Sequence, residues 1–382
     1  MPVKIIAQTE QTERAKKLTE FGFKQFSGGI ITISATINDF PDSLNFILDT
    51  GSSGISLDSA TVSGFKLTPE PSDIDIIGIA GSRSLSFINN TTLHLPGLSI
   101  PNLDFHIVDY EVLSETYGVK IDGIIGYSFF RKFIVNINYD SLKIAIYSPG
   151  QIKYPRGGHT LKPGFTKIPI VEGRIKEGRK IDTRYYFDIG AGLSLLLNKQ
   201  FINDSSFLLK KRKPVTSQVE GLGGKTQMQL TIIKELKLGP YVFRKVPTYI
   251  FSDENNVLSY PTLAGLIGND ILRRFNTIVN YPAREIHIIP NNHFHEDFDY
   301  SYSGLNIYFV DGKVVVGEVM KDSPAEKSGF LPGDIIFGIG NNFSNDVQKY
   351  KEMIQNVGQT LPVVIIRNEK AMLILLKIKS IK

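Results

Sequence analysis

Two aspartate triplets in this 382-residue chain have the residue types needed for acid–base chemistry. Asp49-Thr50-Gly51 follows the apolar run Phe46-Ile47-Leu48, and Asp188-Ile189-Gly190 follows Tyr185-Tyr186-Phe187. Two carboxyls about 3 Å apart cannot both be ionised, so they share one proton. The ionised carboxylate can take a proton from water, while the protonated carboxyl hydrogen-bonds a substrate carbonyl. If the fold brings Asp49 and Asp188 together, the pair can activate water for hydrolysis without a metal ion.

A repeat downstream of each triplet indicates one fold unit used twice. With a constant offset of 142, the stretch 124–147 aligns without a gap to the stretch 266–289. Self-similarity at a long fixed period is typical of a duplicated unit. An alternative interpretation is two strand-rich modules with tight Asp-x-Gly turns and no chemistry. The positions identical in both copies are Ile125, Gly126, Arg131, Phe133, Asn138, Tyr139, Ile144 and Ile146.

The paired triplets and the blocks around Gly126 and Gly268 resemble those of single-chain, retropepsin-like aspartic peptidases. The resemblance implies a mainly β fold with two similar acid-protease β-barrel lobes related by pseudo-two-fold symmetry. It also implies an aspartic-type endopeptidase acting on peptide or protein substrates, with Asp49 and Asp188 as the catalytic residues. The implied active-site loops comprise Thr50, Gly51, Ser52, Ile189, Gly190 and Ala191.

The second triplet departs from the family pattern, because Ile189 stands where Thr or Ser is expected. Thr50 can donate its hydroxyl to the opposite loop, whereas Ile189 has no hydroxyl, so half of this cross-brace is missing. The departure favours an alternative function, a catalytically silent peptide-binding or scaffolding protein that retains the protease fold. A sugar- or lipid-binding envelope module is a further alternative.

The residues after the triplets are also unequal, since Ser52 corresponds to Ala191. A hydrogen bond from Ser52 to the outer oxygen of Asp49 would favour the ionised form of that carboxyl. We therefore expect Asp49 to be the resting base and Asp188 the resting acid.

Two glycine-rich segments lie between each triplet and its Gly block and are candidate flaps. Glycines beside apolar residues suit a mobile hairpin tip that pairs with an extended peptide and excludes water. An ordinary Gly-rich hairpin is an equally good interpretation of either segment taken alone. The candidate substrate-binding residues are Ile77, Gly78, Ile79, Ala80 and Gly81 in the first half, and Gly221, Leu222, Gly223 and Gly224 in the second.

The last 80 residues carry a different pattern, in which Ser323-Pro324-Ala325 is followed by Gly329 and Gly333-Asp334. This string resembles an α+β PDZ domain of the type associated with bacterial proteases. The resemblance implies that Gly304, Leu305, Asn306 and Ile307 form a peptide-binding edge and a nest for a terminal carboxylate. A predicted helix over residues 345–357 would form the wall of the groove. Two roles stay open for this unit, recruiting substrates by their C-termini or regulating access to the cleft.

Alternating and turn-forming residues predict the elements that position the aspartates. Strands over 30–37 and 44–48 precede Asp49, and strands over 167–172 and 184–187 precede Asp188, so each aspartate follows a hairpin. Residues 10–25 predict a short helix or an extended lead-in, and the polar stretch 290–302 marks a boundary. The predicted units are a lead-in (1–25), lobe 1 (26–150), lobe 2 (151–291) and a PDZ domain (300–382).

Composition excludes several other functions. Cysteine is absent, which removes disulfides, thiol nucleophiles and Cys-based metal sites. The net charge of +5 is scattered, and its one dense run, 210–213, lacks aromatic neighbours, so no nucleic-acid partner is expected. His293 and His295 resemble metal ligands but lie in the polar boundary segment, and no cofactor or metal is expected.

The family resemblance also bears on the cellular location. No run reaches the roughly 18 apolar residues of a membrane span, and Met1–Gln8 has no full apolar core of a signal peptide. Because the resembled family is commonly exported in bacteria, we expect a bacterial cell-envelope location and a monomer.

Overall fold

The strands around Asp49 form from short, mainly apolar runs, 44–48, 55–58 and 123–125, which are buried along almost their whole length. The computed structural model describes residues 13–78, 81–221 and 224–382. In the first half of the chain, a 3-10 turn spans Ser27–Gly29. The strands are β1 (Lys17–Gly22), β2 (Lys24–Gln25), β3 (Ile31–Ile37), β4 (Leu44–Leu48), β5 (Ile55–Asp58), β6 (Glu70–Gly78), β7 (Gly81–Leu95), β8 (Leu98–Val108), β9 (Gly123–Ile125), β10 (Ile134–Asn138) and β11 (Lys143–Tyr147). The helices are α1 (Ser59–Gly64), α2 (Glu111–Tyr117) and α3 (Tyr127–Phe130).

The second half repeats this succession of elements, with a helix again after a four-residue strand and another after the Gly block, but without a counterpart of α2 among its described residues. Its strands are β12 (His159–Leu161), β13 (Gly164–Phe165), β14 (Pro169–Lys176), β15 (Lys180–Phe187), β16 (Leu195–Asn198), β17 (Val215–Gly221), β18 (Gly224–Leu238), β19 (Tyr241–Phe251), β20 (Gly265–Ile267), β21 (Phe275–Asn280) and β22 (Glu285–Pro290). Its helices are α4 (Lys199–Ser205) and α5 (Asn269–Leu272).

The two halves have the same sheet topology, which is mainly β and forms two closed six-stranded barrels. One eight-stranded sheet has the order β2-β3-β4-β9-β5-β8-β7-β6, and the other has β13-β14-β15-β20-β16-β19-β18-β17. Pairing of β3 with β7 closes the first ring, and pairing of β14 with β18 closes the second. The predicted fold class, two acid-protease lobes followed by a PDZ domain, is confirmed.

A third sheet joins the lobes. Its order is β1-β11-β10-β21-β22-β12, so β10 of lobe 1 pairs directly with β21 of lobe 2 in antiparallel register. Tyr139 Oη also donates to Asn269 Oδ1 across the lobes at 2.9 Å. A single apolar core runs through both lobes, whereas the C-terminal unit has a core of its own. The backbone hydrogen bonds between β10 and β21, together with this shared core, therefore hold the two barrels in their relative position.

The C-terminal unit is a five-stranded sheet with two short helices. Ser323 caps the first helix by accepting from Glu326 N, Pro324 occupies its first turn, and Gly329 ends it at a φ of 89°. The sheet order is β24-β25-β26-β27-β28, and β23 pairs with β29. The elements are β23 (Ser301–Tyr302), β24 (Leu305–Val310), β25 (Lys313–Val319), α6 (Pro324–Ser328), β26 (Ile335–Ile339), α7 (Val347–Met353), β27 (Thr360–Arg367), β28 (Lys370–Lys377) and β29 (Lys379–Ser380).

One predicted helix differs from the structure in its bounds, and two other predicted segments can be described more closely. Of the two alternatives predicted for the lead-in, the extended one is observed over Lys17–Gly22, where β1 joins the sheet between the lobes. The helix predicted over 345–357 is shorter, because Asp346 caps α7 through the N–H groups of Gln348 and Lys349 and the helix ends at Met353. The polar segment after β22 packs on the core. There, the ring centroid of Phe298 lies 4.2 Å from Cζ of the buried Arg274.

Candidate active site

The same backbone arrangement positions both aspartates. Asp49 follows β4, which runs parallel to β9, and Asp49 N donates to Ile125 O at 2.9 Å. Asp188 follows β15, which runs parallel to β20, and Asp188 N donates to Ile267 O at 3.1 Å. Each carboxyl therefore leaves the end of a central, buried strand, where the chain must turn.

The Gly blocks support the turns that follow the aspartates. Tyr127 N donates to Ser52 O at 2.9 Å, and the equivalent Asn269 N donates to Ala191 O at 2.7 Å. The sequence repeat thus corresponds to the same contact in both lobes, a helix start that holds the active-site loop.

The two loops meet with their carboxyls in contact. Asp49 and Asp188 are close enough for a hydrogen bond to couple their side chains. A Cβ added to Gly51 would lie 2.4 Å from Asp188 Oδ2, and one added to Gly190 would lie 2.2 Å from Asp49 Cγ. The glycines are thus needed because the opposite carboxyl fills the space where a side chain would be.

Backbone N–H groups also bind each carboxyl. Gly51 N donates to Asp49 Oδ1 at 2.6 Å, while Gly190 N and Ala191 N donate to Asp188 Oδ1 at 2.8 and 3.1 Å. The Ser52 hydroxyl instead approaches Gly54 O at 3.5 Å. The expected side-chain hydrogen bond from Ser52 to Asp49, on which the proton assignment depended, is therefore not made.

Burial and the neighbouring carboxyl shift the pKa of both aspartates. Each aspartate keeps partial exposure towards the cleft, but burial of its carboxyl raises the pKa of both Asp49 and Asp188 above 3.8. The negative charge of Asp188 raises the pKa of Asp49 further, whereas the hydrogen bond from Asp49 opposes the rise at Asp188. The two carboxyls therefore titrate as one coupled unit that can hold a single shared proton.

These pKa shifts predict that stability falls as the pH rises. A carboxyl whose pKa is higher in the folded than in the unfolded chain contributes fully below the unfolded value of 3.8, and this contribution is lost as the pH rises through the folded pKa. We expect the Tm of the wild-type protein to fall relative to that of Asp49→Asn as the pH rises from 3.8 through the folded pKa of the pair. Calorimetric melts of both proteins over this range measure the difference, and a Tm difference independent of pH would contradict the prediction.

Thr50 braces the two loops. Its hydroxyl donates to Phe187 O at 2.7 Å and accepts from Ile189 N at 3.1 Å, and the side chain is fully buried. Ile189 is also buried and packs within the core shared by both lobes. Thr50 therefore joins the two loops by hydrogen bonds, whereas Ile189, at the equivalent position of the second triplet, contributes apolar packing.

Removal of this hydroxyl should destabilise the protein. Thr50→Val leaves Phe187 O and Ile189 N buried without their partner, so we expect a loss of about 2–4 kcal/mol in the free energy of unfolding. Thr50→Ser is the matched control, because it keeps the hydroxyl and loses only a buried methyl group, a change of about 1 kcal/mol. Urea unfolding measures both, and equal losses would show that the hydroxyl is not what braces the loops.

The candidate flaps are the ends of equivalent hairpins. Gly78 pairs with Gly81 where β6 meets β7, and Gly221 pairs with Gly224 where β17 meets β18. Ile77 lies on the first hairpin. The predicted tip residues Ile79, Ala80, Leu222 and Gly223 lie outside the described residues. Substrate binding by these hairpins stays a prediction.

Helix α2 is a part of the site that the sequence did not indicate. It connects β8 to β9, and its last residue, Tyr117, stacks on Phe26 with ring centroids 5.1 Å apart. Burial, followed by the charges of Glu220 and Asp49, raises the pKa of Tyr117. The helix therefore lies beside the cleft, near both the dyad and the second hairpin. In the sequence, the tyrosines at the two ends of this helix, Tyr110 and Tyr117, could have drawn attention to it.

A crevice of about 1100 Å³ lies beside the dyad loops. Gly28 and Gly192 contribute to its wall close to the second active-site loop, and Tyr117 contributes on the side of lobe 1. Val347 and Gln348 of α7 also line it, so the PDZ unit forms part of its wall. Neither Asp49 nor Asp188 lines this crevice, so it is a gap between the lobes and the PDZ unit and not the space at the two carboxyls.

The predicted PDZ edge is engaged within the protein. Leu305 N donates to Ser303 Oγ at 3.1 Å, and Gly304 O accepts from Met320 N at 2.8 Å. Leu305 and Ile307 point into the PDZ core, whereas Asn306 is half-buried. Binding of a carboxylate at the predicted nest would require the Leu305 N–H to leave Ser303.

Over the described ranges, no group of three or more His, Cys, Asp or Glu side chains is arranged to hold a metal ion. His293 Nδ1 instead contacts Glu296 Oε1 at 2.5 Å. Within the same ranges, none of the helices has the length and apolar character required to span a membrane.

Comparison with known proteins agrees with this geometry. Residues 33–129 match the family model of an aspartyl protease. The matched range includes Asp49-Thr50-Gly51 and continues into the first Gly block. Residues 315–367, from β25 to the end of β27, match the model of a PDZ domain. No curated protein matches the chain. The chain thus carries an aspartyl protease domain and a PDZ domain, which suggests a protease with a peptide-recognition unit.

Proposed function

We propose that this chain is an aspartic-type endopeptidase in which Asp49 and Asp188 activate a water molecule. The observation that supports it most strongly is the contact of the two carboxyls across the lobes, with the opposing Gly51 and Gly190 leaving space only for that pair. Burial and a shared proton are the properties that such a pair requires. We assign residues 26–291 to the peptidase and residues 300–382 to the PDZ unit.

The proposed reaction begins with a peptide carbonyl bound beside the dyad. Ionised Asp188 takes a proton from water as the water oxygen attacks the carbonyl carbon, and Asp49 donates its proton to the carbonyl oxygen. The resulting tetrahedral diol collapses when its amide nitrogen receives a proton from Asp188 and the C–N bond breaks. A diol proton returns to Asp49, so the pair finishes with the single proton that it had at the start.

The two backbone donors to Asp188 and the buried Thr50 brace support this proposal. The N–H groups of Gly190 and Ala191 hold the base in one orientation, so little reorganisation is needed when its charge changes. The hydroxyl of Thr50 fixes the spacing of the two loops through Phe187 and Ile189. Fixed spacing matters because the dyad must bind one water molecule symmetrically.

Cleavage of a quenched-fluorescence peptide library across the acidic to neutral range tests the proposal. The expected result is cleavage within the peptides that is inhibited by a statine-type compound, whose hydroxyl takes the place of the tetrahedral diol. An absence of cleavage at every pH, with a folded protein, would contradict it.

A second candidate function is a catalytically silent peptide-binding protein. Ile189 favours it, because the second lobe supplies no hydroxyl to the loop brace. Such a protein would bind the statine-type compound or an extended peptide in the cleft without turnover. Calorimetric titration together with the cleavage assay separates the two functions.

A further inference from the structure

The PDZ unit contacts the hairpin of lobe 2 near its tip. Gln218 Nε2 donates to Glu318 Oε2 at 2.7 Å, and Lys225 Nζ lies 3.1 Å from Glu318 Oε1. Tyr308 Oη lies 2.6 Å from Glu220 Oε1, and its ring lies 3.8 Å from Lys225 Nζ. These contacts involve both strands of the hairpin, β17 and β18, on either side of the tip at 222–223.

Tyr308 is the centre of this contact. It is only 2% exposed, and its hydroxyl also lies 2.9 Å from Glu318 Oε2 and 2.7 Å from Gln218 Nε2. The hydroxyl of Tyr308 thus lies between two carboxylates, Glu220 of lobe 2 and Glu318 of the PDZ unit. Gln218 and Lys225 supply the other hydrogen-bond donors. Partial burial makes each of these bonds stronger than a fully exposed pair.

The same PDZ unit also holds α2 of lobe 1, next to the hairpin contact, because Lys351 Nζ lies 5.9 Å from the ring centroid of Tyr308. Lys351 Nζ donates to Thr116 O at 2.7 Å, and Gln348 Nε2 donates to Tyr117 O at 3.3 Å. These are carbonyls of the last turn of α2, which have no partner within a helix and carry partial negative charge. The donors come from α7, the helix that walls the PDZ groove.

The end of α2 also fills the mouth of that groove. A Cβ added at Gly118 would lie 2.6 Å from Val347 Cγ1 on α7 and 3.7 Å from Phe309 Cβ on β24. Gly118 therefore lies between the strand and the helix that would enclose an added peptide strand. An extended peptide pairing along β24 to this point would have to displace Gly118.

We propose that the PDZ unit is a latch that restrains the lobe 2 hairpin, by binding the hairpin through Tyr308 and Glu318 and α2 through Gln348 and Lys351. The latch thus holds together an element of lobe 1 and an element of lobe 2, which also contact each other directly. Its groove is occupied by a segment of the same chain, so an external peptide and α2 compete for it. This inference rests on the proposed function only where it concerns catalysis.

The contacts with the PDZ unit restrain a movement of the hairpin that substrate entry requires. A hairpin that covers a cleft must lift to admit a folded or long substrate and close again before reaction. Here, lifting requires the Tyr308–Glu220, Gln218–Glu318 and Lys225–Glu318 contacts to break together. The latched state therefore has a lower rate of substrate entry than an unlatched state.

Amide hydrogen exchange across residues 215–230 tests the latch without depending on activity. We expect exchange in Glu318→Ala to be about tenfold faster than in the wild-type protein, because opening no longer breaks these bonds. Lys225→Met removes one partner from the hairpin side and should act in the same direction. Glu369→Gln is the control, because Glu369 is an exposed carboxylate at the β27–β28 turn, on the opposite edge of the PDZ sheet.

The outcomes separate the latch from the proposed function. Unchanged exchange in both Glu318→Ala and Lys225→Met would overturn the latch, whatever the activity. If the hairpin loosens, kcat/KM for a long peptide should rise about threefold or more, and a fall would overturn the restraint. Faster exchange in variants of a protein that never cleaves would support the latch while contradicting the peptidase proposal.

Discussion

Asp49→Asn is expected to abolish peptide cleavage, with kcat/KM at least about 10³-fold below that of the wild-type protein. Asparagine has nearly the same shape as a protonated aspartate, but it has no acidic proton to give to the substrate carbonyl. It also cannot share a proton with Asp188, so the charge in the pair cannot relocate as the diol forms. The fold should be retained, because the amide side chain matches the neutral form that burial favours.

Quenched-fluorescence kinetics at several pH values measure this loss. Asp42→Asn is the matched control, because Asp42 is an exposed carboxylate in the turn between β3 and β4. Its variant should keep wild-type kinetics. Residual cleavage above about 10% in Asp49→Asn would mean that a group other than Asp49 gives the proton to the substrate carbonyl.

Gly190→Ala is expected to have the second largest effect. The new Cβ would be 2.2 Å from Asp49 Cγ and 2.3 Å from Asp49 Oδ1, so the loops must separate. Displacement of the carboxyls by about 1 Å costs on the order of 10²-fold in rate, and overpacking costs about 1–3 kcal/mol of stability. We expect the losses of rate and of stability together, because the close approach of the two loops that brings the carboxyls together also produces the clash.

A glycine variant in open space provides the comparison. Gly64, at the end of α1, has no heavy atom within 4 Å of an added Cβ, so Gly64→Ala should change stability by no more than about 0.5 kcal/mol. Kinetics and urea unfolding of the two variants are measured side by side. Wild-type activity in Gly190→Ala would show that the loops are farther apart in solution than in this structure.

The sequence predicted the parts of the fold whose causes are local. Hairpins ending at Asp49 and Asp188 follow from apolar runs and turn residues, and α6 begins and ends at its Ser323 and Gly329 caps. The offset of 142 residues between the Gly blocks indicated that the two lobes would be alike. For these features, the residues that cause the structure are close in sequence.

The remaining features depend on contacts between distant residues. The Ser52 hydroxyl turns to Gly54, although hydrogen bonding to Asp49 was sterically reasonable from sequence alone. The polar segment before the PDZ unit lies on the core because Arg274 and Phe298 meet there. Likewise, no pattern near Tyr308 indicates that it contacts Glu220, which lies 88 residues earlier.

The strand pairing between β10 and β21 has a consequence for how the molecule can be divided. Each barrel contributes one half of the joining sheet, so a cut in the connection near residue 151 would leave two fragments with complementary exposed strand edges. Such edges pair readily with a matching chain. The two lobes therefore resemble two different subunits that associate through paired strands. The short connection between them keeps each lobe at a high local concentration around the other.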